Sequence, residues 1–330
     1  MALHGWLIVD KPVGPGSTQI VAAVKRALKA GGYPKVKVGH GGTLDPLASG
    51  VLPVALGEAT KLAGRMLDSD KVYDFTIGFG TETSTLDAEG EVVATSDIRP
   101  TLAQVEMVLP DFTGAIEQVP PAYSALMVDG KRAYDRARAG EDVDMKMRKV
   151  TIHSLMIRHS RESGNPASSA ASAPDEEEER DPRFRGDDVV GQITLTARVS
   201  KGTYIRSLAR DIARALGTVG SVTMLRRTKA GPFGLSRAIS LDKLGEAAMA
   251  RQLEHTLLPL TAGLVDIPAL PVTPDQAGAL RQGRKLIGIA AAPGLHLATD
   301  ADVAVALVEL SQGEVRVVRG FNMMMSKEAT

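Results

Sequence analysis

The chain has 330 residues and no cysteine. This absence excludes disulfides, thiolate nucleophiles and cysteine-based zinc sites. The six histidines form no i, i+4 pair and no H-E-x-x-H, so no histidine zinc site is predicted. The chain also has no P-loop and no G-x-S-x-G, and it has no G-x-G-x-x-G placed between a strand and a helix. What remains is a carboxylate on a stiff loop, a strongly basic helix and few aromatic residues.

Long hydrophobic runs are also missing. No apolar run approaches the roughly 18 residues that a membrane helix needs, and the N-terminus shows no signal-peptide pattern. The composition, 44% hydrophobic and 24% charged, is ordinary for a soluble globular protein. We therefore expect a cytoplasmic protein that makes no membrane contact.

The chain has no excess of positive or negative charge, because its 39 Lys and Arg residues balance its 39 Asp and Glu residues. A nucleic-acid-binding protein is often more basic than this. The charge is unevenly placed, however. Residues 201–237 hold eight basic residues and one acid, which gives 8 − 1 = +7, whereas residues 158–188 hold five basic residues and nine acids, which gives 5 − 9 = −4. A local basic face is therefore predicted after residue 200.

The stretch from Lys37 to Pro53 places three glycines and His40 just before one carboxylate, Asp45. Glycine permits positive φ or close approach of another molecule, and Pro46 pushes Asp45 away from helical geometry. Asp-Pro is also a common turn starter. The stretch alone leaves two interpretations open, an ordinary turn and a reactive carboxylate on a stiff loop.

Hydrophobic periodicity predicts a mixture of strands and helices. A helix is expected to begin at a cap provided by Ser17 or Thr18, and others are expected to be capped by Thr101 and Ser240. The predicted strands are 6–9, 72–79, 91–94, 150–157, 192–199, 223–228, 303–310 and 315–321. The predicted helices include 101–109, 133–139, 205–216, 247–258 and a short one after Pro274.

Residues 158–190 are charged and of low complexity, so they cannot bury enough apolar surface to become ordered. We interpret this segment as a disordered insertion at a hairpin tip, where insertions are tolerated. It is given no function, and deleting residues 160–187 is expected to leave activity intact.

Aromatic residues make up only 4% of the chain, and four of the five tyrosines lie beside Gly, Pro or basic residues. Each tyrosine by itself is most simply explained as packing at the edge of the core. RNA recognition, however, uses aromatic faces for unstacked bases, with Arg and Lys holding the phosphates.

Several blocks in a fixed order resemble one family, the bacterial tRNA pseudouridine-55 synthases of the TruB type. The resemblance runs from about Trp6 to Phe233, apart from the insertion. The blocks are Asp10-Lys-Pro-Val-Gly14, Gly39-His-Gly-Gly-Thr-Leu-Asp-Pro46, Gly50-Val-Leu-Pro53 with Gly57-Glu-Ala-Thr-Lys61, Lys71-Val-Tyr73, Pro120-Pro-Ala-Tyr-Ser-Ala125 with Gly130 and Tyr134, and Ser200-Lys-Gly-Thr-Tyr-Ile-Arg-Ser-Leu208 with Leu225-Arg-Arg227.

The resemblance implies three catalytic roles. Asp45 would be the nucleophile that breaks the N-glycosidic bond of one uridine and lets the uracil re-attach through carbon. Tyr73 would stack on the flipped uracil, and Arg206 would pair with Asp45. A base inside a folded RNA must leave its stack before it can react, and a carboxylate can attack a glycosidic bond without a metal, as in retaining glycosidases.

Four substrate-binding roles are implied as well. Tyr204 and Leu225 would line the uracil pocket. His40 would insert into the opened RNA loop, and Lys11 would support the loop of Asp45. Because the reaction is redox-neutral and intramolecular, no cofactor is expected.

The implied fold is α+β. It has a mixed, mostly antiparallel central sheet of the pseudouridine synthase type with flanking helices, and a small β-rich, PUA-like C-terminal domain. The catalytic domain would span 1–265 and the RNA-binding domain 266–330. Arg316 and Arg319 are candidate phosphate contacts, although an exposed strand face explains both equally well. The partner would be the T-loop of tRNA, position 55, with no obligatory protein partner and a monomeric chain.

This chain departs from the family pattern at two positions, and its C-terminal region matches the family poorly in detail. Gly16-Ser17 replaces the usual Thr-Ser, which is expected to loosen that loop, and Met127 replaces a lysine that could contact RNA. Two alternatives stay open: a non-catalytic RNA-binding or tRNA-folding protein, and a synthase that acts on another RNA.

Overall fold

The computed structural model describes residues 3–158 and 188–323, and the chain divides into two compact units. The first unit comprises residues 1–69 and 229–330, and the second comprises residues 70–228. Within the predicted insertion, residues 159–187 lie outside the described residues, as do the last seven residues, 324–330.

Most of the regular structure is β-strand. The strands of the described residues are β1 (Gly5–Lys11), β2 (Val38–His40), β3 (Ser49–Leu56), β4 (Lys71–Phe79), β5 (Thr81–Thr83), β6 (Val92–Thr95), β7 (Gly114–Gln118), β8 (Met127–Val128), β9 (Lys131–Arg132), β10 (Arg148–Ile157), β11 (Gln192–Val199), β12 (Gly220–Ala230), β13 (Phe233–Gly234), β14 (Ala269–Pro271), β15 (Leu286–Ile287), β16 (Gly294–Asp300), β17 (Val303–Ser311) and β18 (Glu314–Gly320).

The helices are fewer and short. They are α1 (Ser17–Ala30), α2 (Ala63–Asp68), α3 (Leu102–Val108), α4 (Ala133–Arg138), α5 (Ile205–Ala215), α6 (Leu241–Met249) and α7 (Pro274–Arg281). Single 3-10 turns cover Gly57–Leu62, Leu109–Phe112, Leu235–Arg237, Leu253–Thr256 and Leu260–Gly263.

In the first unit, β1 and β2 both pair antiparallel with β3. β1 and β3 are buried along almost their whole length, so each reads as a continuous apolar run rather than an alternating one. Trp6 of β1 is fully buried, stacks at a tilt on Phe233 with ring centroids 5.3 Å apart, and donates from Nε1 to the Leu260 carbonyl. A large aromatic side chain with a satisfied N–H anchors this core.

The C-terminal part of the first unit is a five-stranded sheet with the order β14-β16-β17-β18-β15. The β14–β16 pairing is parallel and the others are antiparallel. One group of its buried residues packs with Ala277 and Leu280 of α7. Another group, including Leu297, Leu307 and Phe321, shares a core with Trp6. This sheet is therefore packed into the first unit and does not stand apart from it.

In the second unit, five strands follow the order β12-β4-β11-β10-β7. The pairings β4–β11, β10–β11 and β7–β10 are all antiparallel. Helix α5 buries an apolar face that includes Ile205, Leu208 and Ile212, whereas Arg210 is partly exposed and Arg214 is exposed. The amphipathic pattern positions the basic residues of α5 along one side.

The predicted α+β class with a mostly antiparallel sheet and a β-rich C-terminal region is confirmed. Thr101 and Ser240 cap α3 and α6 as predicted, and Gln312 and Gly313 form the predicted hairpin turn with positive φ at both residues. The predicted helix 247–258 is wrong. Helix α6 ends at Met249, and Arg251 takes a φ of 55° that no helix can continue.

Two buried strands were not predicted, β3 and β16. The sequence of β3 is an apolar run without polar alternation, and Pro53 interrupts it. The strand β16 follows Pro293 and carries polar residues, His296 and Asp300, at buried positions. A fully buried strand leaves only a short apolar run in the sequence, which periodicity does not separate from a loop.

Candidate active site

Asp45 lies in the irregular loop between β2 and β3 and is half-buried. Gly41, at the start of this loop, does not need positive φ; it is required for close packing, since a Cβ there would lie 2.7 Å from Cβ of Met66. Gly50, the second residue of β3, does take positive φ, at 100°. The glycine before Asp45, Gly41, is therefore needed because a side chain would not fit there. The glycine after it, Gly50, is needed for its backbone conformation.

The residues on either side of Asp45 are held by hydrogen bonds to their backbone atoms. The Ser17 hydroxyl accepts from the Leu44 N–H at 2.8 Å and donates to the Leu44 carbonyl at 3.1 Å. The carbonyl of Pro46 accepts from the Gly14 N–H at 2.9 Å and from Lys11 Nζ at 3.2 Å. Because both neighbours are fixed, the direction in which the chain presents Asp45 is fixed as well.

Ser17 does not cap α1, contrary to the sequence prediction. The N-cap is Gly16, whose N–H donates to Oε1 of Gln19 at 2.7 Å. The hydroxyl of Ser17 bonds to Leu44, 27 residues away along the chain, a tertiary contact that no local pattern indicates. With Gly16-Ser17 in place of the usual Thr-Ser, the chain therefore still holds the loop of Asp45 through the hydroxyl of Ser17.

Lys11 is completely buried at the end of β1, and its Nζ also donates to the Pro12 carbonyl at 2.8 Å. His40 is half-buried and ends β2, five residues before Asp45. In the first unit the structure therefore places Lys11, His40 and Asp45 on the segments β1, β2 and the loop that follows β2.

In the second unit, Arg206 lies in the first turn of α5 and is 5% exposed. Its guanidinium donates to the Thr85 carbonyl at 2.8 Å and to the Tyr123 carbonyl at 3.0 Å. It also forms an ion pair with Asp87 at 3.2 Å, in which both side chains are almost fully buried. Arg206 thus fastens three separate segments of the second unit together.

The sequence analysis did not single out Asp87, the residue that forms this ion pair with Arg206, because Asp87-Ala-Glu-Gly90 has the pattern of an ordinary turn. Its carboxylate also accepts from the Thr85 hydroxyl and from the Glu89 N–H. The preceding Leu86 is buried with a φ of 62°. A non-glycine residue in this region carries backbone strain, which tends to occur at functional sites.

The other predicted residues of the second unit lie on neighbouring elements. Tyr204 precedes α5, and its N–H donates to Oε1 of the buried Gln118 at 2.8 Å. Tyr73 is half-buried in β4 opposite Ala197 of β11, and Leu225 is buried in β12. Gln118, which closes β7, was also missed by the sequence analysis, since an isolated Gln before Val-Pro-Pro carries no chemical signal.

Asp45 belongs to the first unit and Arg206 to the second, so the expected pairing of these two residues stays a prediction. Within the second unit, Arg206 forms an ion pair with Asp87. Among the described residues, no group of three or more His, Asp or Glu side chains could hold a metal ion. No helix in the described ranges has the length and apolar character to cross a membrane.

The motif Gly57-Glu-Ala-Thr-Lys61 forms a polar clamp on the end of β18. Oε2 of Glu58 accepts from Lys61 Nζ and from the Asn322 N–H, both at 2.7 Å, and Lys61 donates to the Gly320 carbonyl at 2.8 Å. Burial raises the pKa of Glu58, but the hydrogen bonds from Lys61 and Asn322 outweigh it, so the pKa lies below its ordinary value. The clamp therefore joins this motif to the C-terminal sheet.

Comparisons with known proteins find relatives over almost the whole chain. The sequence profile of the TruB family pseudouridylate synthases (N-terminal domain) matches residues 25–205, and that of the tRNA pseudouridylate synthase B C-terminal domain matches residues 206–265. The chain is 60% identical to tRNA pseudouridine synthase B of Novosphingobium aromaticivorans, with 97% of this chain and 98% of that protein covered. It is 42% identical to the same-named protein of Caulobacter vibrioides, covering 98% and 97%.

Two solved structures share the fold. A Cbf5–Nop10–Gar1 complex contains a chain that is 25% identical, with a TM-score of 0.68 and coverage of 96% of this chain and 85% of that one. An H/ACA RNP bound to a substrate RNA containing 2′-deoxyuridine gives 22% identity and a TM-score of 0.66, with the same coverage. The second similarity concerns the fold alone.

Proposed function

Because this chain belongs to the TruB family of pseudouridylate synthases, we propose that it converts one uridine of tRNA, at position 55 in the T-loop, into pseudouridine. The observation that carries the proposal is the 60% identity to a tRNA pseudouridine synthase B over 97% of the chain. The family match also includes the whole Asp45 loop.

We propose Asp45 as the nucleophile. In the reaction the Asp45 carboxylate attacks the ribose carbon as the bond from that carbon to N1 of the uracil breaks. The base then turns, and its C5 bonds to the ribose carbon as the bond to Asp45 breaks. The hydrogen on C5 leaves as a proton, and N1 gains one, so no electrons enter or leave. Support for Asp45 comes from its loop, in which Leu44 and Pro46 are both held by hydrogen bonds to residues of the N-terminal segment.

The residues of the second unit would receive the base. Tyr73 would stack on the flipped uracil, while Tyr204 and Leu225 would line its pocket; a fitted pocket compensates for lost stacking in the RNA. Arg206 would pair with Asp45 and keep it ionised. Its support is a guanidinium already fixed by Asp87, Thr85 and Tyr123.

The remaining roles concern the RNA and the loop. His40 would insert into the opened T-loop, and Lys11 would support the loop of Asp45. Support for Lys11 is its hydrogen bond to the Pro46 carbonyl.

The decisive experiment is tritium release from tRNA that carries [5-³H]uridine, with wild type beside Asp45→Asn. Wild type is expected to release tritium and Asp45→Asn to release none, while tRNA binding by the variant stays within a few-fold of wild type. Asn preserves the shape of Asp but cannot act as a nucleophile. Release by Asp45→Asn at the wild-type rate would refute the nucleophile assignment.

The same assay separates the two alternatives. A non-catalytic RNA-binding protein would bind tRNA without any release from wild type. A synthase for another RNA would release tritium from ribosomal RNA but not from tRNA.

We further propose a monomeric, cytoplasmic enzyme without cofactor or obligatory protein partner, whose residues 266–330 form a PUA-like RNA-binding domain. Light scattering with and without tRNA tests the monomer.

A further inference from the structure

The segment between Asp10 and Asp45 has a charge bias that the predicted site does not use. Residues 11–44 contain six Lys or Arg residues and not one Asp or Glu, which gives a charge of +6 in a chain whose net charge is zero. Lys11 is buried under the Asp45 loop. The other five basic residues are Lys25, Arg26, Lys29, Lys35 and Lys37.

Four of these lysines line one groove in the first unit. The groove, of about 920 Å³, lies between α1 and the segment that joins α1 to β2. Besides Lys25, Lys29, Lys35 and Lys37, its lining includes the apolar residues Leu28 and Val38. The floor is thus apolar and its charged side chains are all positive, a combination that suits a polyanion with flat, partly apolar groups.

These cations are available to a partner. Lys25, Lys29, Lys35 and Lys37 are exposed, and in the described part of the chain no acidic side chain forms an ion pair with any of them. Lys61, by contrast, is paired with Glu58 at 2.7 Å. Unpaired lysines gathered around one groove repel each other, so bound anions would stabilise them.

The groove is preformed, because its far end is fixed by hydrogen bonds. The Tyr33 hydroxyl accepts from the Leu253 N–H at 3.1 Å and donates to Glu254 at 3.2 Å. Arg251 donates to the carbonyls of Gly31 and Gly32 at 3.1 and 3.2 Å. A rigid wall lowers the entropy lost on binding.

We propose that this groove is a second RNA-binding surface, which holds the phosphodiester backbone of the bound tRNA. The inference rests on the proposed function. Lys25 and Lys29 are one helical turn apart, about 6 Å along α1, and Lys35 and Lys37 lead directly into β2, which ends at His40. The residues that line the groove are therefore followed directly in the sequence by His40 and the loop of Asp45, which belong to the predicted site.

The test compares tRNA binding by wild type with a variant that carries Lys25→Gln, Lys29→Gln and Lys35→Gln. Each released phosphate contact removes about 0.7–0.9 from the slope of log affinity against log salt. The triple variant is expected to bind tRNA on the order of tenfold more weakly near 0.15 M salt, with a slope reduced by roughly 2–3. Its KM should rise more than its kcat falls.

Two control variants separate charge at this place from charge in general. Lys243→Gln removes an exposed lysine of α6, which lies outside the groove beside Asp242, and should leave affinity and salt slope unchanged. Replacing the three groove lysines by Arg keeps the charge and should retain binding close to that of wild type.

An unchanged affinity and salt slope in the triple Gln variant would overturn the proposal, as would an equal loss in Lys243→Gln. Loss of binding to anionic lipid vesicles with tRNA binding intact would also overturn it, because the partner would then be a membrane surface. Failure of the proposed function is recognised separately: wild type itself would then release no tritium from tRNA.

Discussion

The loop of Asp45 and the side chain of Arg206 are held in different ways. In the first unit, the bonds go to the backbone atoms of the neighbours Leu44 and Pro46. In the second unit, the guanidinium of Arg206 itself makes the bonds, to Asp87 and to two carbonyls. Hydrogen bonds to the backbone fix the position from which a reactive side chain extends. Bonds to the side chain itself hold a charged group in a buried position, so removing one of its partners destabilises the fold.

The largest effect is expected from breaking the buried charge pair. Asp87→Ala should lower the free energy of unfolding by about 3–5 kcal/mol, because it removes one carboxylate of a buried ion pair and leaves the Arg206 guanidinium without that counter-charge. Urea denaturation measures the loss. Asp70→Ala serves as the control, since Asp70 pairs with Arg198 at the surface and should cost at most about 1 kcal/mol. Equal costs for both variants would contradict the distinction.

A smaller stability effect with a larger effect on catalysis is expected for Ser17→Ala. The variant leaves the buried N–H and carbonyl of Leu44 without partners, which costs about 1–3 kcal/mol. Displacement of the Asp45 loop should lower tritium release by roughly tenfold to a hundredfold. Ser240→Ala, which removes the cap of α6, should cost about 1 kcal/mol and leave tritium release unchanged. Tritium release by Ser17→Ala at the wild-type rate would show that Ser17 is not needed to position Asp45.

The Glu58 clamp should show itself as a pH-dependent stability. Because the folded pKa of Glu58 lies below the unfolded one, its contribution is present above about pH 4.3 and disappears as the pH falls through the folded value. Melting temperatures of wild type and Glu58→Gln should therefore differ at pH 7 and converge as the pH falls below the folded pKa of Glu58. In a Lys61→Met background, the difference in melting temperature caused by Glu58→Gln at pH 7 should be smaller. A difference between wild type and Glu58→Gln that stays the same at acid pH would argue against the clamp.

The smallest expected effect concerns the exposed face of β18. Arg316 is exposed but paired with Glu314, whose pKa is lowered by the hydrogen bonds from Arg316 and Lys285. Arg319 is exposed and has no acidic partner in the described ranges. Arg319→Ala should weaken tRNA binding a few-fold and lower the salt slope by about 0.7–0.9, more than Arg316→Ala does. A larger loss for Arg316→Ala would reverse the assignment.

Local pattern was sufficient where a residue acts within its own element. The caps Thr101 and Ser240, the Gln312-Gly313 turn and the amphipathic face of α5 all follow from spacing along the chain. The run of helical periodicity past Met249 gave a wrong helix, since Arg251 turns there to bond with Gly31 and Gly32, a contact made 219 or more residues away along the chain.

The sequence by itself determined the chemistry available to this protein: no thiol, no histidine cluster, one Asp on a glycine- and proline-rich loop, and an ordered set of motifs. The tertiary structure decided how that loop and Arg206 are held, because the partners Ser17 and Asp87 are ordinary capping and turn residues in the linear sequence. A hydroxyl or a carboxylate acquires such a role only when folding brings a distant backbone atom or a buried cation within 3 Å or so of it, and local propensity contains no information about that distance.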